Sequence, residues 1–266
     1  MSIHSQVIPF ASIPDMDRRR VNGALLSARP SINDQLIGRP RGNYGTDCQP
    51  PTNPVFQALL ETADVGPFRC TGIRPAVSAL KAILVDVKAA HPDLHGRLGT
   101  AGMQCCRFVR GSTITPSSHS WGIAIDLTID GQPVDPPGDD MVQRGLLDLW
   151  PIFNAHGFYW GAAFPREDSM HFEASDQLVR KWSRDGALGA PTGNAPLGQG
   201  MTIGDRGPQV AALQIALNRV LTPVVIDTDG LFGPMTRAAV IEFQRRNGLR
   251  ADGVAGRLTQ AALGLV

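Results

Sequence analysis

The chain has 266 residues, 42% of them hydrophobic, and a formal net charge of +1. That apolar content excludes a disordered chain. The near-zero charge excludes the strong positive field that draws a protein to nucleic acid or an anionic membrane. The length allows one large domain, or a medium domain beside a small one.

Residues 1–20 lack the basic start and apolar run of a secretory signal, and no later stretch has the length of a membrane span. Synthesis in the cytoplasm, without a signal peptide and without membrane insertion, is therefore expected. Residues 1–53 are rich in Pro and Arg and read as an irregular extension. Within them Arg18, Arg19 and Arg20 read as a solvated face. Of the four cysteines, Cys48, Cys70, Cys105 and Cys106, the spacing fits no zinc knuckle or redox motif. Buried thiols are expected, with a disulfide from Cys48 or Cys70 to one of the adjacent pair as the alternative.

Residues 75–90 form an amphipathic helix: Pro75 suits its first turn, and Val77, Leu80, Leu84 and Val87 share one face. His91 and His95 follow at i, i+4, but Pro92 intervenes, and both read as complements to a helix C-terminus. Strands are predicted at 104–110, 122–129 and 158–162, with a fourth around 171–173. A helix capped by Asp139 or Asp140 carries Leu146, Leu147 and Trp150. It is broken or kinked at Pro151 and ended by Gly157, with His156 near its C-terminus. A short helix covers 175–182. Helices mixed with antiparallel strands predict an α+β domain, a small antiparallel sheet with flanking helices.

Two short segments concentrate the chemistry. The first runs Ser117-Ser118-His119-Ser120-Trp121-Gly122-Ile123-Ala124-Ile125-Asp126, the second Asp168-Ser169-Met170-His171. Their surroundings are apolar, where charged groups are costly unless paired or bound to a cation. Alternation along 122–127 puts Ile123, Ile125 and Leu127 on a core face and Gly122, Ala124 and Asp126 on a cleft face. His119 has the wrong parity for that cleft face. Either Gly122 bends the chain or His119 lies in a preceding loop. Three ligands suffice for a catalytic zinc site, which keeps a position open. His119, Asp126 and His171 fill that role, and Asp168, across a turn, is left to move protons. Taken singly, each has a bland reading: a loop cap, a partner for Arg107, a core histidine, a turn former. The four together at this spacing point to a metal hydrolase. Glu173 is either a support to a ligand or an exposed strand residue.

Residues 185–200, DGALGAPTGNAPLGQG, read as a flexible linker with nothing to bury. Beyond it an internal repeat appears. Asp229-Gly230-Leu231-Phe232-Gly233 with Thr236 returns as Asp252-Gly253-Val254-Ala255-Gly256 with Thr259. Val210, Leu213, Leu217 and Val220 lie at helical spacing ahead of it, and the tail is predicted to be a three-helix bundle. The domain plan is thus 1–53 extension, 54–184 catalytic domain, 185–200 linker and 201–266 C-terminal bundle.

In the tail, Gly204-Asp205-Arg206-Gly207-Pro208-Gln209-Val210, Leu213-Gln214, Asp229-Gly230, Phe232-Gly233, Thr236 and Phe243-Gln244 resemble the peptidoglycan-binding domain of bacterial and phage wall hydrolases. The resemblance implies anchoring to peptidoglycan. Upstream, Ser117-x-His119-x-x-Gly122-x-Ala124-x-Asp126, Trp160-Gly161 and Asp168-x-x-His171 resemble the zinc peptidases of wall metabolism, across roughly residues 70–184. These are the D-alanyl-D-alanine carboxypeptidases and the L-alanyl-D-glutamate endopeptidases of endolysins, whose fold is shared with sonic hedgehog.

That resemblance implies one catalytic Zn2+ held by His119, Asp126 and His171, with Asp168 as general base and acid. It implies an Arg facing substrate: Arg107 is preferred over Arg110, because the two face opposite ways on a regular strand. Ser117 and Trp160 are further substrate-binding candidates. The implied activity is cleavage of the peptidoglycan stem peptide between L-Ala and D-Glu by a monomer acting on the wall after holin-type release. The alternatives are trimming of terminal D-Ala, or a non-catalytic wall-binding protein with a structural zinc.

Overall fold

The computed structural model describes residues 2–133, 137–188, 200–222 and 226–265. The chain divides into two compact units, Met1–Leu188 and Gly189–Val266. The first contains β1 (Val7–Pro9), α1 (Pro30–Leu36), α2 (Pro54–Gln57), β2 (Leu60–Asp64), β3 (Arg69–Ile73), α3 (Arg74–Ala90), α4 (Pro92–His95) and β4 (Leu98–Gly102). A 3-10 turn (Ser118–Trp121) then leads into β5 (Ala124–Ile129), β6 (Met141–Gln143), α5 (Arg144–Ala155), β7 (Phe158–Trp160), β8 (His171–Ala174) and α6 (Asp176–Arg184). An antiparallel sheet runs β4-β5-β8-β7, and β1-β6 and β2-β3 form two-stranded sheets. The fold is α+β.

The stripe on α3 behaves as its spacing requires: Val77, Leu80, Leu84 and Val87 are buried, with Ala76 and Ile83 beside them. Helix α5 differs from expectation at its start. Its N-cap is Gln143, and the short β6 intervenes between it and the Asp pair. The Asp139 side chain instead accepts the Met141 N–H at 3.0 Å. Nor is α5 broken at Pro151; it continues to Ala155, and Gly157 follows with φ 81°. A proline inside a helix costs about 3 kcal/mol. Leu146, Leu149 and Phe153, all buried, return roughly 1.5–3 kcal/mol each, so the helix persists.

The predicted strand at 104–110 does not form. That segment makes isolated bridges, Gln49 with Cys106 and Phe108 with Pro116, and the strand preceding β5 in the sheet is β4. Cys48 and Cys105 are joined as a disulfide, the alternative in the sequence reading, while Cys70 and Cys106 are buried thiols.

Residues 1–53 are mostly irregular, as expected, but they pack against the rest of the first unit rather than extending from it. β1 pairs with β6 in the register Val7–Gln143, Ile8–Val142, Pro9–Met141. Phe10 is buried, its ring centroid 5.8 Å from that of Trp160. Asn22 clasps the Trp160 backbone, accepting its N–H at 2.7 Å and donating to its carbonyl at 2.9 Å. Arg18 is not solvated either: its side chain is 14% exposed and donates to Asp140 and to the carbonyls of Ala162 and Phe164. The ties of Asn22 and Arg18 run from side chains to partners distant in sequence and carry no periodic signal.

The second unit contains α7 (Pro208–Val220), α8 (Pro234–Arg246) and α9 (Arg257–Ala262). Its core includes Val210, Leu213, Leu217, Phe232, Val240 and Phe243; Val220, assigned to the same stripe by spacing, is exposed instead. The repeat is structural as well as sequential. The Gln214 amide donates to Asp229, the Leu231 carbonyl and Thr236, and its carbonyl accepts from Gly230. Gln244 does the same with Asp252, Val254, Thr259 and Gly253. Of the expected linker, residues 189–199 lie outside the described residues.

Candidate metal centre

His119 stands on the 3-10 turn, which ends at Gly122 in the left-handed region, φ 61° and ψ 36°. Both sequence options are therefore realised: His119 precedes the strand, and Gly122 bends the chain into β5. A Cβ at Gly122 would lie 2.9 Å from Gly72 Cα, so no other residue allows this approach. In the β5–β8 register Asp126 and His171 are direct partners. Sheet pairing and one glycine bend thus bring three side chains together.

Their geometry is tight. The Oδ1 of Asp126 lies 3.1 Å from His119 Nε2 and 3.0 Å from His171 Nδ1, and the two nitrogens are 3.2 Å apart. His119 and His171 are 3% and 6% exposed. The far nitrogen of each ring is already engaged: His119 Nδ1 faces the Met103 carbonyl at 2.9 Å, and His171 Nε2 faces Glu173 at 3.1 Å. A carbonyl and a carboxylate accept hydrogen bonds, so each far nitrogen carries a ring proton, and in the neutral imidazoles each near nitrogen offers a lone pair. Three acceptors then converge on one point and call for a positive charge between them.

Burial opposes ionisation of Asp126, but the charge and hydrogen bonds of His119 and His171 outweigh it and hold the carboxyl well below its usual range. Burial likewise opposes protonation of His171, yet Asp126 and Glu173 raise its pKa well above the ordinary value. Two imidazoles and a carboxylate with ligand atoms within 4.8 Å of one another fit a divalent cation that accepts nitrogen and oxygen donors.

Asp168 lies in the turn before β8, its N–H bonded to the Gly161 carbonyl at 3.1 Å. A Cβ on Gly161 would sit 2.6 Å from the Asp168 carbonyl oxygen and 3.0 Å from His171 Cβ, which accounts for a glycine after Trp160. Burial raises the Asp168 pKa; Asp126 adds to this, while His171, His119 and Arg110 oppose it. Arg107 is half-buried and its pKa is lowered, first by burial and next by Arg110, against the pull of Asp126 and Asp168. Both arginines therefore lie within the field of Asp168. The parity argument that separated them fails because 104–110 is not a strand.

Ser117 is buried at the base of the turn, its N–H bonded to the Arg107 carbonyl at 2.9 Å. Trp160, a substrate-binding candidate by sequence, is core instead. It is 0% exposed, its indole N–H donates to the Ser169 carbonyl at 2.7 Å, and it stacks between Trp150 and Phe172. Among the decoys, His91 caps α3, and His156 caps α5 and bonds Asp86 at 2.7 Å.

Two supports escaped the sequence reading or were left open by it. Glu173 is 2% exposed and bonded to His171. Glu167 is 1% exposed and accepts the N–H groups of Gly138, Asp140 and Ser169, fixing the turn that bears Asp168. Alternation along β8 places Glu173 beside His171; nothing periodic marks Glu167.

Two segments of the chain match models of known protein families. Residues 110–174 match the family model described as D-alanyl-D-alanine carboxypeptidase, and residues 206–263 the putative peptidoglycan binding domain. Arg107 lies just outside the first segment. An uncharacterized protein in the bpoA1 3' region of Kitasatospora aureofaciens is 49% identical over 59 residues, covering 22% of this chain and 50% of that protein. The chain thus spans about half the length of this curated relative. A peptidoglycan-binding protein from Clostridioides difficile, solved with glutamine hydroxamate, is 35% identical over 26% of this chain and 42% of its own, with a TM-score of 0.24. The chain therefore carries a segment matching the D-alanyl-D-alanine carboxypeptidase family model, which includes His119, Asp126, Asp168 and His171, and a C-terminal segment matching the peptidoglycan binding domain model.

Proposed function

We propose that the protein is a zinc-dependent peptidoglycan hydrolase that cuts a peptide bond in the stem peptide, as an L-alanyl-D-glutamate endopeptidase of endolysin type. The observation that carries this is the convergence of His119, Asp126 and His171 beside a half-buried carboxyl, Asp168, whose pKa is raised. His119 Nε2, His171 Nδ1 and an Asp126 oxygen would hold the ion. When bound, zinc supplies Lewis acidity that polarises a carbonyl and eases ionisation of water near neutral pH.

The chain's own groups do the rest. Asp168 takes a proton from the attacking water and passes it to the departing amine, and a raised pKa brings it closer to the working pH. Arg107, with Arg110 beside it, holds the charge that develops on the carbonyl oxygen. Ser117 shapes the turn under the substrate. The C-terminal unit binds the wall and raises the local concentration of stem peptides.

The description of the matched family favours a second reading, removal of terminal D-Ala. Digesting purified muropeptides with the metal-loaded chain and identifying new termini by mass spectrometry separates the two. New D-Glu amino termini support the endopeptidase. Free D-Ala supports the carboxypeptidase. Intact muropeptides overturn the hydrolase reading.

A further inference from the structure

Sequence gives residues 1–53 no task, yet one of them reaches the back of the metal-type cluster. Ser27 forms a backbone bridge with Ser175, just past β8. The Asp176 N–H donates to the Leu26 carbonyl at 2.8 Å. The Gln177 side chain grips the same stretch, accepting from the Leu26 N–H at 3.1 Å and donating to the Ala24 carbonyl at 2.7 Å. This frame aims Ser27 Oγ at Glu173 Oε1, 2.5 Å away. The other oxygen of Glu173 takes the Nε2–H of His171 at 3.1 Å. Ser118, adjacent to His119, also bonds to this carboxylate.

The geometry points to Glu173 and Ser27 as positioning residues for the cation: Glu173 orients the His171 imidazole, and Ser27, delivered by the N-terminal segment, locks Glu173. A carboxylate on the far nitrogen of a ligating histidine fixes its tautomer, orients the ring and raises its basicity. Here it turns the Nδ1 lone pair toward Asp126 and His119. Without Ser27 a nearly inaccessible carboxylate loses one of its donors, and its hold on the imidazole loosens. The N-terminal segment thereby becomes part of the metal site. This inference rests on the reading that His119, Asp126 and His171 hold a divalent cation.

The test is Co2+ and Zn2+ affinity of the full chain by chelator competition, with the Co2+ absorption spectrum as a reporter of ligand geometry. Glu173→Gln, which keeps the volume, is expected to weaken affinity about 10- to 100-fold. Ser27→Ala, at a half-buried position that tolerates truncation, is expected to weaken it about 10-fold and alter the Co2+ spectrum. Ser27→Thr restores both. A purely structural role would lower thermal stability while leaving affinity and spectrum of the folded protein at parental values, and that result overturns the inference. If the parent chain itself takes up no Co2+, the cation reading falls and this inference with it. Parental binding with unchanged variants overturns this inference alone.

Discussion

His119 Nε2 and His171 Nδ1 lie 3.2 Å apart with Asp126 Oδ1 within 3.1 Å of both, and each ring's proton is held on its opposite side. Such a contact between lone pairs repels unless a positive charge lies between them. A proton on His171 or a divalent cation meets that demand, and the cation also uses the third donor.

Asp168 lies within the electrostatic field of all three of these residues but is not one of the converging ligand groups. Asp168→Asn is expected to leave cation uptake unchanged and to lower turnover on wall fragments by about 100- to 10,000-fold, the range for loss of a general acid–base group. Titration of the metal alongside turnover checks both halves. Normal turnover in this variant would remove Asp168 from the reaction.

Arg107 is half-buried and Arg110 is exposed, so the former acts through the lower dielectric. Arg107→Ala is expected to cost about 100- to 1000-fold in turnover, and Arg110→Ala less. Steady-state kinetics of the two variants decide between them, and the reverse order would assign substrate contact to Arg110.

The Cys48–Cys105 disulfide closes a separation of 57 residues, and Cys105 also donates its N–H to the His119 carbonyl at 3.0 Å. Cys48→Ser, or reduction, is expected to lower unfolding free energy by about 2–4 kcal/mol. Urea unfolding with and without reductant measures it. Identical midpoints would show that the bond does not constrain the chain.

Cys70 is 6% exposed, and burial, aided by Glu61 and opposed by Lys81, pushes its thiol from 9.0 to about 11. The folded state therefore keeps the proton longer than the unfolded one. The resulting stability is fully present below pH 9 and is lost as pH rises toward about 11, amounting to about 2–3 kcal/mol. Cys70→Ala is expected to flatten that part of the stability–pH curve. Parallel curves for parent and variant between pH 9 and 11 would contradict the shift.

What was legible in the sequence follows the physics of each signal. Helix α3 and strand β5 announce themselves by periodicity, and the spacing of His119, Gly122 and Asp126 carries the bend as well as the ligand atoms. The repeat in the tail is visible because identical turns need identical Asp-Gly chemistry. The N-terminal segment was not legible, since Asn22, Arg18 and Ser27 act through isolated side-chain bonds to partners distant in sequence. Trp160 misled because a motif position was taken for a surface one, whereas its indole is spent on Ser169. The segment 104–110 misled because its alternating residues serve a disulfide and a loop rather than a sheet.

A crystal of the full chain grown with Zn2+, read by anomalous scattering at the zinc edge, tests the central claim most directly. The expected result is a single ion bonded to His119 Nε2, His171 Nδ1 and an Asp126 oxygen at about 2.0–2.2 Å, with Asp168 outside bonding distance. A map with no peak between those three atoms, or with the ion held by other side chains, would contradict it.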